Sequence, residues 1–125
     1  MATTYVLMKY KLYNVDIDAA IGVITQLKSA RDSVAPKYPT LDFRVGFFPA
    51  PSGTDLSVLI QGQERGTVEE AAREYIRSAL PPNFVDMGSD YDLMKRVLSE
   101  FGKTLKWKLD GGGVGKHVVP LASHQ

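Results

Sequence analysis

The chain contains no cysteine and only two histidines, His117 and His124, in 125 residues. The first absence excludes a disulfide framework, a thiol nucleophile and every zinc or iron–sulfur centre built on thiolates. The second leaves few groups that titrate near neutrality. The two imidazoles stand at the C-terminal end with no fixed backbone expected between them, so they make a poor metal site; no metal and no cofactor is expected. Long hydrophobic runs are also missing. The apolar stretch at residues 5–8 is interrupted by Lys9 and Lys11, short of the roughly 7–15 residues of a signal-peptide core and the about 20 of a membrane span. No basic segment opens the chain, so the expectation is a cytoplasmic protein without a membrane partner. Charge of one sign is not in excess either: 15 Lys and Arg against 14 Asp and Glu leave a formal charge of +1 at pH 7. Net charge alone therefore does not predict nucleic-acid binding.

What is present suits one globular unit. Apolar residues make up 44% and charged residues 23%, which excludes a disordered tail, a collagen-like repeat and a coiled-coil rod. Residues 4–13 alternate, with Val6, Met8, Tyr10 and Leu12 on one face and Tyr5, Leu7, Lys9, Lys11 and Tyr13 on the other, the pattern of a strand. Asp16 stands as a helix N-cap. Ile17, Ala20, Ile21, Ile24 and Leu27 follow as an apolar stripe, and the helix is expected to fade near Ser33 because Pro36 and Pro39 cannot sit in its interior.

Residues 41–48 and 54–63 alternate again around a Pro- and Gly-rich turn at 49–53, which predicts an antiparallel hairpin. Thr67 and Glu70 match a capping box at the head of a second helix, with Glu69 and Arg73 spaced to pair along it. Pro81 and Pro82 would stop that helix. Ser89 is a candidate cap for a third, lined by Met94, Val97, Leu98 and Phe101 and expected to end near Gly102. Residues 104–109 set Leu105, Trp107 and Leu109 against Lys106 and Lys108 and read as a fourth strand, with further turns of the third helix as the rival reading. Residues 110–115 read as a flexible glycine-rich loop and 116–121 as an extended segment that Pro120 demotes to an edge or tail.

This order is βαββαβ if the later helices form the second crossover: an α+β, ferredoxin-like sandwich with an antiparallel sheet and helices on one face. The domain is expected to span residues 1–109, with 110–125 as loop and tail. The second face of the strands is mixed. Tyr5, Leu7, Arg44, Phe48 and Leu59 are together too apolar for a face left open to water, so a second subunit or a ligand is expected to cover it.

With residues 5–13 as first strand, a hairpin over 41–63 and a two-part helical stretch 67–102 followed by 104–109, the chain resembles the dimeric α/β-barrel superfamily. That superfamily includes antibiotic-biosynthesis monooxygenases, aromatic polyketide cyclases and stress-responsive barrels. The resemblance is one of pattern and carries no diagnostic motif. It implies an oligomeric α/β barrel in which two sheets pack face to face, with small, often aromatic ligands held between sheet and helices. Members often carry a catalytic His or Asn in the cavity, whereas this chain has no His before His117.

The candidate chemistry divides by segment. Gly111–Lys116 invites comparison with a phosphate loop, but Asp110 stands in place of its first glycine, His117 in place of its Ser or Thr, and no helix is expected after it. Lys116 could still meet an anion, and His117 could act as a base if it folds over a cavity; a connector and a solvated tail are the plain alternatives. Asp42 and Asp55 lie in strands that should pair, and cross-strand salt bridges or solvated strand ends explain them better than a catalytic pair.

On the mixed face, Tyr5, Lys9, Arg44, Phe48, Ser57 and Gln61 would give a cavity with aromatic walls and a few polar groups. Arg44 or Lys9 would stabilise negative charge, and Tyr5 or His117 would exchange protons. Lys95, Arg96, Lys103, Lys106, Lys108 and Lys116 make a basic C-terminal third beside Trp107, which reads as a solvated face rather than a nucleic-acid surface. The expectation is a homo-oligomer that binds a small organic, aromatic or polyketide-like molecule. If it is catalytic, the chemistry would be cofactor-independent cyclisation, isomerisation or oxygenation. The alternatives are a non-catalytic interaction protein and a nucleic-acid binder.

Overall fold

Three strands form one antiparallel sheet in the order β1-β3-β2: β1 is Thr4–Leu12, β2 Asp42–Ala50 and β3 Gly53–Gly62. The computed structural model describes residues 3–50, 52–79 and 89–109. The helices are α1 (Ile17–Val34), followed by a 3-10 turn at Ala35–Lys37, α2 (Arg65–Ser78) and α3 (Ser89–Leu109). α1 lies against β2, α2 against β1 and β3, and α3 against β1.

The alternation becomes a division of faces. Val6, Met8, Leu12, Leu56, Val58 and Ile60 are all buried in one core cluster with the inward residues of the three helices. Phe43, Val45 and Tyr10 complete that face at its margins. Tyr75 of α2 is among the largest fully buried side chains. Its ring lies 6.3 Å from that of Phe43, and its hydroxyl donates to the Leu27 carbonyl of α1 at 2.7 Å. One residue thus joins two helices and the sheet with its polar atom satisfied. Burial pushes that hydroxyl's pKa far upward, so it stays protonated.

The turns follow from a few residues. Asn14 takes a left-handed conformation (φ 54°) between β1 and α1, which asparagine tolerates better than most residues. Gly53 (φ 155°) opens β3, and a Cβ there would collide with the backbone carbonyl of Leu12. Glycine is required at that position by both conformation and space.

The 3-10 turn is tied to α2 through Glu74. Its carboxylate accepts from Lys37 Nζ at 2.6 Å and from the Tyr38 hydroxyl at 3.0 Å. These two hydrogen bonds, that of Lys37 foremost, hold the Glu74 carboxyl below its ordinary pKa of 4.5.

Several expectations are corrected. Residues 104–109 are not a strand: α3 runs through to Leu109. Leu105 lies four residues after Phe101 on the buried stripe and is itself buried. Gly102 has open space around it and does not stop the helix, and the Thr104 hydroxyl is satisfied by the Glu100 carbonyl at 3.1 Å. Trp107, which the strand reading set on one face with Leu105, is 49% exposed where Leu105 is buried.

The sheet therefore has three strands among the described residues, and the fourth strand of a complete ferredoxin-like sandwich is not among them. α2 begins at Arg65 with Glu64 as its cap, two residues ahead of the Thr67 box. Arg65 pairs with Glu69 at 2.7 Å in place of the expected Glu69–Arg73 pair. The buried stripe of α1 is Ala20, Val23, Ile24, Leu27, Ala30 and Val34, while Ile17 and Ile21 are more than half exposed. Asp16 occupies the N-cap position without a side-chain cap hydrogen bond. β2 extends through Pro49 to Ala50, a placement open to proline because β2 is an edge strand among the described residues. Residues 110–125 and the expected helix end at Pro81 lie outside the described residues.

Two predictions follow from these contacts. Gly53→Ala lowers stability by about 2 kcal/mol or more, read as a fall in Tm with the hairpin amides shifted in NMR spectra. Glu74 has a lowered folded-state pKa, so its contribution is present above the unfolded value of 4.5 and disappears as the pH falls through the folded one. Glu74→Gln is accordingly less stable than the parent at neutral pH and loses less stability on acidification, as followed by denaturant titrations across the carboxylate range.

Candidate functional site

The face opposite the helices is organised in rows across the strands. The pairing places Tyr5, Gln61 and Asp42 in one row, then Leu7, Leu59 and Arg44, then Lys9, Ser57 and Gly46, then Lys11, Asp55 and Phe48. A groove of about 530 Å³ runs over the last three rows, lined by Leu7, Lys9, Arg44, Gly46, Phe48, Asp55, Ser57 and Leu59, with Val45 and Phe47 alongside. Its size falls within the roughly 300–1,000 Å³ of small-molecule sites.

The groove exists because the Lys9 row is low. Ser57 is small and Gly46 has no side chain, whereas Phe48, two residues on, is 68% exposed. Gly46 is not among the positive-φ residues, so the backbone does not demand glycine there. What it supplies is room: a Cβ would lie 3.1 Å from Ser57 Oγ. A glycine inside a strand often marks such a close approach.

The charges on this face are mostly matched. Arg44 Nε donates to Asp42 Oδ2 at 3.0 Å, and Gln61 Nε2 donates to the same oxygen at 3.1 Å. Lys11 Nζ donates to Ser52 Oγ at 3.3 Å and lies 3.9 Å from Asp55 Oδ1. Lys9 has no ion pair or hydrogen bond with any described residue. It is the one lysine or arginine lining the groove with no acidic partner among the described residues. Asp42 and Asp55 lie at opposite ends of the hairpin, six residues apart along β3 by their pairing to Gln61 and Phe48, roughly 20 Å at the rise of a strand. They serve as ion-pair partners and do not form a carboxylate pair.

Four of the sequence-derived site residues, Lys9, Arg44, Phe48 and Ser57, therefore line one groove. Tyr5 and Gln61 share the mixed face but sit one row beyond it. Tyr5 is half-buried, and burial raises its pKa above the ordinary 10.0, so at neutral pH it can donate a proton or hydrogen bond but does not serve as a base. Lys116 and His117 lie outside the described residues. Sequence reasoning missed Gly46, whose only signal was a glycine amid an alternating run.

The basic stretch lies on α3 rather than on a strand. Lys95, Arg96, Lys103 and Lys106 are exposed there, and Lys103 pairs with Glu100 at 2.9 Å. Among the described residues there is no group of three or more His, Cys, Asp or Glu that could hold a metal ion, and no helix is long and apolar enough to cross a membrane.

No family model, curated protein or solved structure matches the chain. Of the resemblance drawn from pattern, the part that stands is a small α+β protein with a three-stranded antiparallel sheet. Its helices pack on one side of that sheet.

Because Phe48 is 68% exposed, Phe48→Ser changes stability by no more than about 0.5 kcal/mol, measured by denaturant unfolding. A larger loss would mean that the ring serves the hairpin rather than the surface.

Proposed function

We propose that the chain binds a small organic molecule in the groove on the open face of its sheet, as a homo-oligomer in which a second copy helps to close that face in the manner of a dimeric α/β barrel. The observation that carries this reading is the groove's composition: apolar Leu7 and Leu59, an aromatic ring at Phe48, and a hydroxyl and an ammonium at Ser57 and Lys9. A few polar groups in an apolar concavity are what fixes a ligand's orientation.

If the site is catalytic, Arg44 and Lys9 are the groups that would stabilise a developing oxyanion, and Tyr5 would act only as a donor. Such chemistry would be cofactor-independent cyclisation, isomerisation or oxygenation. A second reading is favoured by the exposure of Phe48: the face serves purely as a contact between subunits. A hydrophobic residue 68% exposed on a strand that is at the sheet's edge among the described residues suits either role.

Titration of the ¹⁵N-labelled protein with aromatic and polyketide-like compounds, alongside its solution mass, tests the proposal. The expected result is a mass above that of one chain and shifts at the amides of Leu7, Lys9, Gly46 and Ser57, weakened in Phe48→Ser. An oligomer whose face amides respond to no compound would transfer the face to the subunit-contact reading. A monomer without such a response would overturn both.

A further inference from the structure

The groove's floor holds more information than its volume. Lys9, Ser57 and Gly46 stand side by side on three neighbouring strands, so the row runs from an ammonium through a hydroxyl to bare backbone. Three strands span roughly 10 Å at their usual spacing, the length of a carboxylate attached to a bicyclic ring. Each acid near the row is already engaged, Asp42 by Arg44 and Asp55 by Lys11. Of the two cations that line the groove, Lys9 is the one without an anion among the described residues, Arg44 being held by Asp42. Phe48, in the adjacent row of the same strand as Gly46, offers a ring to the side of the open backbone.

Resting on the ligand-binding reading above, we infer that the groove takes a flat aromatic carboxylate. Its carboxyl group meets Lys9 Nζ and the Ser57 hydroxyl, and its ring lies over Gly46 against Phe48. A cationic ligand would face the unmatched ammonium, and a neutral one would leave it unused. A charge-assisted contact separates a carboxylate from its neutral analogue, and a flat ring is the shape that bare strand backbone admits. Gly46 is then the position that sets ligand size, since any side chain there enters the space the ring would fill.

The experiment compares 2-naphthoate with the uncharged 2-naphthalenemethanol by NMR titration of the parent chain, Lys9→Gln and Gly46→Val, with Tm and spectral dispersion showing that each variant is folded. In the parent, naphthoate shifts the groove amides with a Kd about tenfold lower than the alcohol. Lys9→Gln, at an exposed residue, removes that preference by weakening naphthoate alone. Gly46→Val weakens both probes. If the alcohol binds in the groove as well as naphthoate, or if Lys9→Gln leaves naphthoate unchanged, the anionic class is overturned while the groove remains a ligand site. If neither probe moves a groove amide, the ligand-binding reading falls with it.

Discussion

β3 is hydrogen-bonded on both sides, to β1 and to β2, and its register decides nearly everything else. Side chains alternate faces along a strand, so a slip of one residue would turn every one of them over. In the observed register Leu56, Val58 and Ile60 point to the helices together with Val6, Met8 and Val45. Such a slip would carry these apolar groups to the open face and Asp55, Ser57 and Gln61 into the core. Burial of a large aliphatic side chain is worth about 2 kcal/mol, so the loss from three at once would rival the net stability of a domain this size, about 5–15 kcal/mol. The open face is thus not independently arranged. Lys9, Ser57 and Gly46 share a row because Met8, Val58 and Val45, beside them along the three strands, had to face the core.

That coupling explains how a groove can form without dedicated loops. The helix layer takes one face, and the other keeps whatever the alternation leaves there. Where the leftover residues are large, as at Phe48, the surface rises; where they are small, as at Ser57 and Gly46, it sinks. The surrounding ion pairs, Arg44 with Asp42 and Lys11 with Asp55, are exposed and individually weak. They nonetheless decide which charges on the face are available.

The strands were legible because period two is hard to mistake when both faces are distinct, and the same parity places Lys9, Arg44, Phe48 and Ser57 along one groove. The helices were less so. In α1, two stripes satisfy helical spacing: one runs through Ile17 and Ile21, the other through Ala20 and Val23, and both share Ile24. Packing selects the second, where small alanines let the helix approach the rest of the core. At residues 105–109, Leu, Trp and Leu fit an alternation of two, yet Leu105 also continues the spacing of Leu98 and Phe101. Cooperative extension of an existing helix won over a short separate strand. Gly46 carried no chemical label at all, and its role appears only when the row across three strands is assembled.

The register of β3 is tested most directly by through-space NMR contacts across the sheet. The account predicts cross-strand contacts from Ser57 to both Lys9 and Gly46, and from Val58 to both Met8 and Val45. Contacts from Ser57 to Met8 or Tyr10 as its paired residue, with Val58 shifted in step, would place the apolar side chains on the open face and contradict it.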